Sequence, residues 1–208
     1  MKNLYSEDAF TGLEAAIVLI AFVVVAAVFS YVVLGAGFFT SQTAQATVHT
    51  GVQQASSSME LVGNVYGIGD TTTNKIKYIN TTIALTAGGT PVDLSQMVVS
   101  YSDSNKGYNA NVLPNIASGD MACPADLTTI VGTTAAGNGQ RWCIAQKINN
   151  QTVGAMLENN AQFVIAVGMT STADPNVKIS VNFQPAIGAV LPITRTIPGG
   201  ISLVQPLY

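Results

Sequence analysis

The apolar pattern of this chain changes character twice along its length. Residues 15–39 form a run of twenty-five in which Ser30 is the one plainly polar side chain. A helical apolar stretch of eighteen or more residues is long enough to cross a bilayer core, and a buried helix in a soluble domain rarely needs so many. Past residue 39 the run does not end in a charged or loop-like flank. It narrows to a stripe: Val48, Val52, Ala55, Met59, Val62 and Tyr66 recur at steps of 4, 3, 4, 3 and 4, with no proline between 40 and 66. That is an a/d seam. The pattern predicts one helix over 9–66, about 90 Å long at 1.5 Å per residue. So long a rod cannot bury itself against one domain, so lipid or copies of itself must cover its apolar half.

After residue 70 the pattern shifts to short β-branched or alternating runs at 75–86, 92–101, 141–148, 161–169, 177–183 and 186–196, separated by turn formers. This density of strands and turns predicts an antiparallel sandwich of immunoglobulin-like size. Pro185, Pro192, Pro198 and Pro206 confine its last strands to edges or interruptions. The string Gly67-Ile-Gly-Asp-Thr-Thr-Thr-Asn74 places the boundary between helix and sandwich. The expected fold is therefore α+β: a long N-terminal α-helix over 9–69 forming a hydrophobic stem, followed by an immunoglobulin-like β-sandwich over 70–208. The latter is large enough to have a core of its own and to fold without the stem.

Charge changes the picture by what it excludes. Only 9% of the 208 residues are charged, and eight Lys and Arg stand against eleven Asp and Glu with no basic run. A nucleic-acid partner has no electrostatic footprint here. Between Glu14 and Glu60 there is no Asp, Glu, Lys or Arg at all. A cleaved secretory signal would carry a basic start and an apolar core of about 7–15 residues. Here Lys2 is the only basic residue ahead of the run, Glu7 and Asp8 follow it, and the run is too long.

Within the stem, Ala16, Ala21, Ala26, Ala27, Ser30, Gly35, Ala36 and Gly37 are small enough to let helix backbones approach closely, although membrane helices in general are rich in such residues. Gly35 and Gly37 are also candidate bend points. Glu14 is a lone carboxylate at the edge of an apolar segment and needs a partner. Thr11 and Glu14 have capping-box spacing, which would satisfy it locally. The alternative is a free α-amine exposed by cleavage before Ala9, on a neighbouring subunit. The two are compatible.

The stretches GLEAAIVLIAFVVVAAVFSYVVLGAGFFTSQ and VHTGVQQASSSMELVGNVYG together resemble the N-terminal region of archaellins, the subunits of the archaeal swimming filament, in their methanogen form. The resemblance is dense over 9–69 and only architectural beyond. It implies a type IV pilin-like precursor whose leader, residues 1–8, is cut by a prepilin-type peptidase between Asp8 and Ala9. The helix then waits in the cytoplasmic membrane and is extracted by export and motor machinery into an extracellular helical filament, a homopolymer or one shared with related archaellins. On this reading Glu14, Ala16, Ala26, Ala27, Ser30, Gly35, Gly37, Val48, Val52 and Met59 carry stem assembly. Glu7-Asp8 departs from the basic residues, and often a Gly, that the family places before the cut.

Elsewhere the candidate chemistry is sparse. Cys123 and Cys143 are the only cysteines and flank a Gly-rich loop. A disulfide is favoured behind an export segment, with a pair of buried thiols as the alternative. Asn80-Thr81-Thr82 and Asn150-Gln151-Thr152 match the N-glycosylation acceptor pattern. Asp103-Ser-Asn-Lys-Gly107 opens like a calcium loop but lacks its distal Glu, which leaves a solvated turn. His49, the only histidine, flanks the seam, and neither Gly-x-Ser-x-Gly nor a phosphate loop is present. Neither catalysis, a metal nor a cofactor is expected. An adhesion pilin is the alternative polymer. A monomeric immunoglobulin-like binding module on a membrane anchor is the alternative from another class, and would want a polar linker where this chain has a seam.

Overall fold

The computed structural model describes residues 5–116, 119–150 and 154–208, with side chains from residue 12 onward except Gly119. Residues 1–4 of the expected leader, Gln151 and Thr152 of the second sequon, and the side chains of Asp8, Ala9 and Thr11 lie outside it. The chain separates into two compact units, Met1–Gly51 and Val52–Tyr208.

Helix α1 (Tyr5–Ser56) runs for 52 residues, about 78 Å at 1.5 Å per residue. Its last third, from residue 40 on, is largely polar, yet Thr40, Thr43, Thr47 and Thr50 each donate their hydroxyl to the carbonyl four residues back, at 2.8–2.9 Å. The helix closes at a serine run, where the Ser57 amide and hydroxyl both donate to the Gln53 carbonyl at 2.9 and 2.7 Å.

The seam is thus truncated. Met59 lies in strand β1 (Met59–Leu61), Val62 follows it, and Tyr66 begins β2 (Tyr66–Asp70). Three consecutive serines and Gly63, whose φ is +74°, end the helix where the apolar spacing alone would continue it. Met59 is only 6% exposed and belongs to the core of the β unit, so its assignment to stem assembly is corrected. The boundary moves with it. Gly67 and Gly69, expected in a turn, are strand residues, and the turn follows at 71–74 with Asn74 at φ +51°. A Cβ on Gly69 would sit 2.3 Å from Ile201 and 2.6 Å from the Ser202 carbonyl, so this glycine serves close approach beside a β-bulge.

The remaining strands are β3 (Lys75–Leu85), β4 (Val92–Asp93), β5 (Val98–Asp103), β6 (Tyr108–Pro114), β7 (Arg141–Ile148), β8 (Met156–Leu157), β9 (Gln162–Gly168), β10 (Lys178–Gln184), β11 (Leu191–Thr196) and β12 (Val204–Pro206). One layer has the order β7-β9-β3-β2-β12, with β1 beside the far end of β3; the other is β11-β10-β5-β6. Strand β6 belongs to both: it pairs with β5 antiparallel and with β7 parallel through Leu113↔Arg141 and Pro114↔Trp142. The expected antiparallel sandwich is therefore one continuous hydrogen-bonded sheet folded on itself, with a single parallel step. The short pair β4-β8 stands apart.

Between the layers, Ile76, Ile79 and Ile83 of β3 and Phe163, Ile165 and Val167 of β9 share a core with Val99 and Tyr101 of β5, Val181 and Phe183 of β10, and Trp142. Within β5, β9 and β10 these side chains come from alternate positions, as a half-buried strand requires, while the β-bulge opposite Ile68 and Gly69 shifts the alternation of β3 between Ile76 and Ile79. On the open side, the Leu207 amide donates to Val65 at 2.9 Å and the Thr196 amide to the Tyr208 carbonyl at 2.5 Å, so the C-terminus bridges the two layers.

Candidate assembly surface and outer-unit sites

The stem exposes what an ordinary protein hides. Ile17, Phe22, Val25, Phe29, Leu34 and Phe39 are all more than half exposed. The apolar helix is long enough to cross a membrane, and none of its most apolar window is buried. Glu14, Ala16, Ala26, Ala27, Ser30, Gly35, Gly37, Val48 and Val52 all lie on α1 and are exposed. Nothing comes within 4 Å of a Cβ built on Gly35 or Gly37. Ser30 and Gly37 line one shallow groove with Phe29, Val33, Leu34 and Phe38. Helix α1 already includes Tyr5, so Thr11 lies inside it and not at its start; the Thr11 side chain expected to cap beside Glu14 lies outside the described residues.

The outer unit carries the disulfide. Cys123 and Cys143 are bonded with their Cα atoms 4.9 Å apart, tying the 115–140 connection to β7. Beneath it a small second cluster of Ile130, Cys143 and Ala166, with Tyr78, Cys123 and Leu127 against it, covers the outer face of the β7-β9-β3 layer.

The Asp103 loop is a self-contained turn. Its Oδ2 accepts from the hydroxyls of Tyr101 (2.9 Å), Thr170 (3.1 Å) and Thr172 (2.6 Å), and its Oδ1 from the amides of Asn105 (2.8 Å) and Gly107 (2.7 Å). Burial pushes this carboxyl up, but the bonds from Thr172, Gly107, Tyr101 and Asn105 outweigh it and hold it below the ordinary range. Burial first, with the Asp103 charge behind it, pushes the Tyr101 phenol far up, so it stays a donor. A Cβ at Gly107 would fall 2.1 Å from Asp103 and 2.3 Å from Thr172. Among the described residues, no three of His, Cys, Asp or Glu come together as metal ligands would.

The two sequons differ in setting. Asn150 opens the β7–β8 connection, where its Nδ2 donates to the Met156 carbonyl at 2.9 Å. Asn80 is in the middle of β3 and Thr81 is fully buried. What sequence reasoning missed is the outer face beside Asn80, where Tyr66 is 43% and Val204 59% exposed. Tyr66 had been read as a helix seam residue, and only its strand register places it there.

The chain thus combines a long apolar helix, exposed along its length, with a disulfide-bearing β unit. The chain belongs to the archaeal-type flagellin family, whose profile matches residues 9–195. It is 39% identical to a probable flagellin of Archaeoglobus fulgidus over 100% of this chain and 98% of that one. A 32-residue segment is 88% identical to the whole of a 24 kDa flagellin sequence from Methanospirillum hungatei, covering 15% of this chain. Among solved structures, the subunit of the archaeal flagellum of Methanospirillum hungatei superposes with a TM-score of 0.65 at 27% identity, over 94% of this chain and 98% of that one. An archaeal flagellin from Methanocaldococcus jannaschii shares the fold, with a TM-score of 0.52 at 17% identity over 72% and 95% of the two chains.

Proposed function

We propose that this chain is the structural subunit of the archaellum, polymerising through α1 into a filament rotated from its base. The observation that carries this is the exposure of every apolar side chain on α1 from Leu13 to Phe39, in a chain of this family. In water such a surface is stable only when covered, at roughly 25 cal/mol per Å² of apolar area. Lipid covers it before assembly and neighbouring stems cover it afterwards. The small residues Ala16, Ala26, Ala27, Ser30, Gly35 and Gly37 set the closest approach between stems, while Val48 and Val52 continue the contact outward.

A prepilin-type peptidase removes residues 1–8, and the family match beginning at residue 9 supports a cut before Ala9. The new α-amine then meets Glu14 of a neighbouring copy, the one acidic side chain in the apolar stem. Secretion onto the cell surface also makes the two sequons available for modification.

Sheared surface filaments examined by electron microscopy, with N-terminal sequencing and mass spectrometry of their protein, test this reading. The expected result is a filament of this chain beginning at Ala9. Absence of the chain from any filament overturns the function, and filaments beginning at Met1 overturn the processing step alone.

A further inference from the structure

The loop ahead of β7 presents an asparagine to its own backbone. Asn138-Gly139 is the only Asn-Gly pair in the chain, and every other asparagine precedes a residue that has a side chain. Both residues are exposed. They form the middle of a turn closed by the Gln140 amide on the Gly137 carbonyl at 2.8 Å, with Gly139 third in the turn at φ +80°, the position at which a type II turn requires glycine. The turn is fastened at its base. Gln140 is 3% exposed, its Nε2 donates to the Gly168 carbonyl at 2.6 Å, and its Oε1 accepts from Asn109 Nδ2 at 3.0 Å.

The bonds around this peptide are unevenly shared. Neither the Asn138 carboxamide nor the Gly139 amide makes a hydrogen bond among the described residues. The first can therefore rotate, and the second can lose its proton, without breaking a contact. A Cβ built on Gly139 would meet nothing nearer than the Val131 carbonyl at 3.9 Å, so the approach is open. The Asn138 backbone carbonyl, by contrast, accepts from the Thr133 amide at 2.9 Å and from the Thr133 hydroxyl at 3.2 Å. When the Gly139 amide is deprotonated, peptide resonance spreads the charge onto that oxygen. Donors fixed in advance where charge develops stabilise it, so Thr133 eases the ionisation that turns Gly139 N into a nucleophile.

We propose that Asn138 modifies itself in the folded protein, converting through a cyclic imide to aspartate and isoaspartate. Hydroxide takes the Gly139 amide proton and the nitrogen attacks Asn138 Cγ. The N–C bond forms, the Cγ–Nδ2 bond breaks, and Nδ2 leaves as ammonia after taking a proton from water. Water then opens the imide. Attack at Cγ gives aspartate with the backbone unchanged, whereas attack at the former backbone carbonyl gives isoaspartate, with the chain routed through Cβ. Asparagine and water are consumed; the acid and ammonia are formed. Either product adds one negative charge to a chain whose formal net charge is −3. Isoaspartate also takes the carbonyl away from Thr133 and lengthens the turn that Gln140 closes. The chemistry needs only water and base, so it goes beyond the filament reading and does not depend on it.

The test holds purified full-length protein, folded in detergent, for several days at pH 7 and at pH 9, beside a synthetic peptide of residues 132–141 in the same buffers. Mass spectrometry before and after reads the replacement of NH2 by OH at each asparagine. Asn138 is expected to convert ahead of every other asparagine, in part to isoaspartate, and faster at pH 9. An unchanged Asn138 in the folded protein, under conditions that convert the peptide, overturns the proposal. Thr133→Val keeps the Asn-Gly pair and removes only an exposed hydroxyl. Conversion should then slow by about three- to tenfold, less than the loss of a donor in a water-excluded site, with the melting temperature unchanged. Equal rates overturn the part given to Thr133.

Discussion

Truncation discriminates between the boundary expected from the sequence and the one found in the structure. Cutting at 69/70 should leave a folded sandwich on the sequence boundary, whereas the structure requires that it fail. Removing residues 1–69 deletes Met59, 6% exposed, and Val65, fully buried, from the main core. Losses of this kind cost about 2–5 kcal/mol for a buried Met and about 1.5–3 for a buried Val. The same cut deletes β1 and β2, turns β3 from an interior strand into an edge, and takes from β12 its only partner. It also uncovers Leu207 and Ile76, whose side chains lie 3.0 and 3.1 Å from the position of a Cβ on Gly67. Against a typical total of about 5–15 kcal/mol, losing both core residues and a paired strand removes most or all of the stability. Residues 52–208 should give a cooperative thermal transition by near-ultraviolet circular dichroism, while residues 70–208 should give none or precipitate. A melting temperature for 70–208 within a few degrees of that for 52–208 would refute the argument.

Three further outcomes are expected. Ala27→Leu keeps the stem apolar and should accumulate normally in membranes, while added volume at a close-packed contact costs about 1–3 kcal/mol per subunit and filament counts fall sharply; immunoblots beside micrographs read both, and normal filaments would place Ala27 away from neighbouring stems. Replacing Cys123 and Cys143 together by Ala should cost about 3 kcal/mol in the chain-entropy picture for a 20-residue separation, seen in denaturant titration, and an unchanged midpoint would count against it. Because the folded state holds Asp103 below its unfolded value near 3.9, the unfolded chain binds more protons in that range; the stability it supplies is complete above about pH 5 and is lost as pH falls toward the folded value. Thr172→Val removes the shortest bond to Asp103 and should flatten the decline in melting temperature between pH 5 and 2, and a steeper decline would contradict the sign.

What was legible in the sequence followed the strength of its pattern. The stem announced itself because twenty-five residues without a charge have few alternatives, and 75–86 and 141–148 correspond closely to β3 and β7. Segment 92–101 hid an interruption: Asp93 caps a 3-10 turn at Leu94–Gln96 by accepting from the Ser95 amide, dividing one expected strand into two. The seam misled from residue 56 on because steps of three and four also fit a strand, a glycine turn and a second strand in succession. Strands β6 and β12 went unseen. Asn109, Ala110 and Asn111 give β6 little apolar alternation, and β12 has three residues, one of them proline. The apolar face beside Asn80 exists only through register, joining residues more than a hundred positions apart.

The bridge from Thr196 to the Tyr208 carbonyl matters most once subunits stand shoulder to shoulder. A polymer holds its outer units at a fixed and very high local density, the condition under which open β-edges recruit each other into disordered aggregates. Here one terminal strand, β11, donates its Thr196 amide to the Tyr208 carbonyl and carries Pro192. The other, β12, is three residues long with Pro206 lacking the amide that a docking strand would need. Neither edge of the folded sheet is therefore well suited to lateral β-pairing with a neighbouring copy.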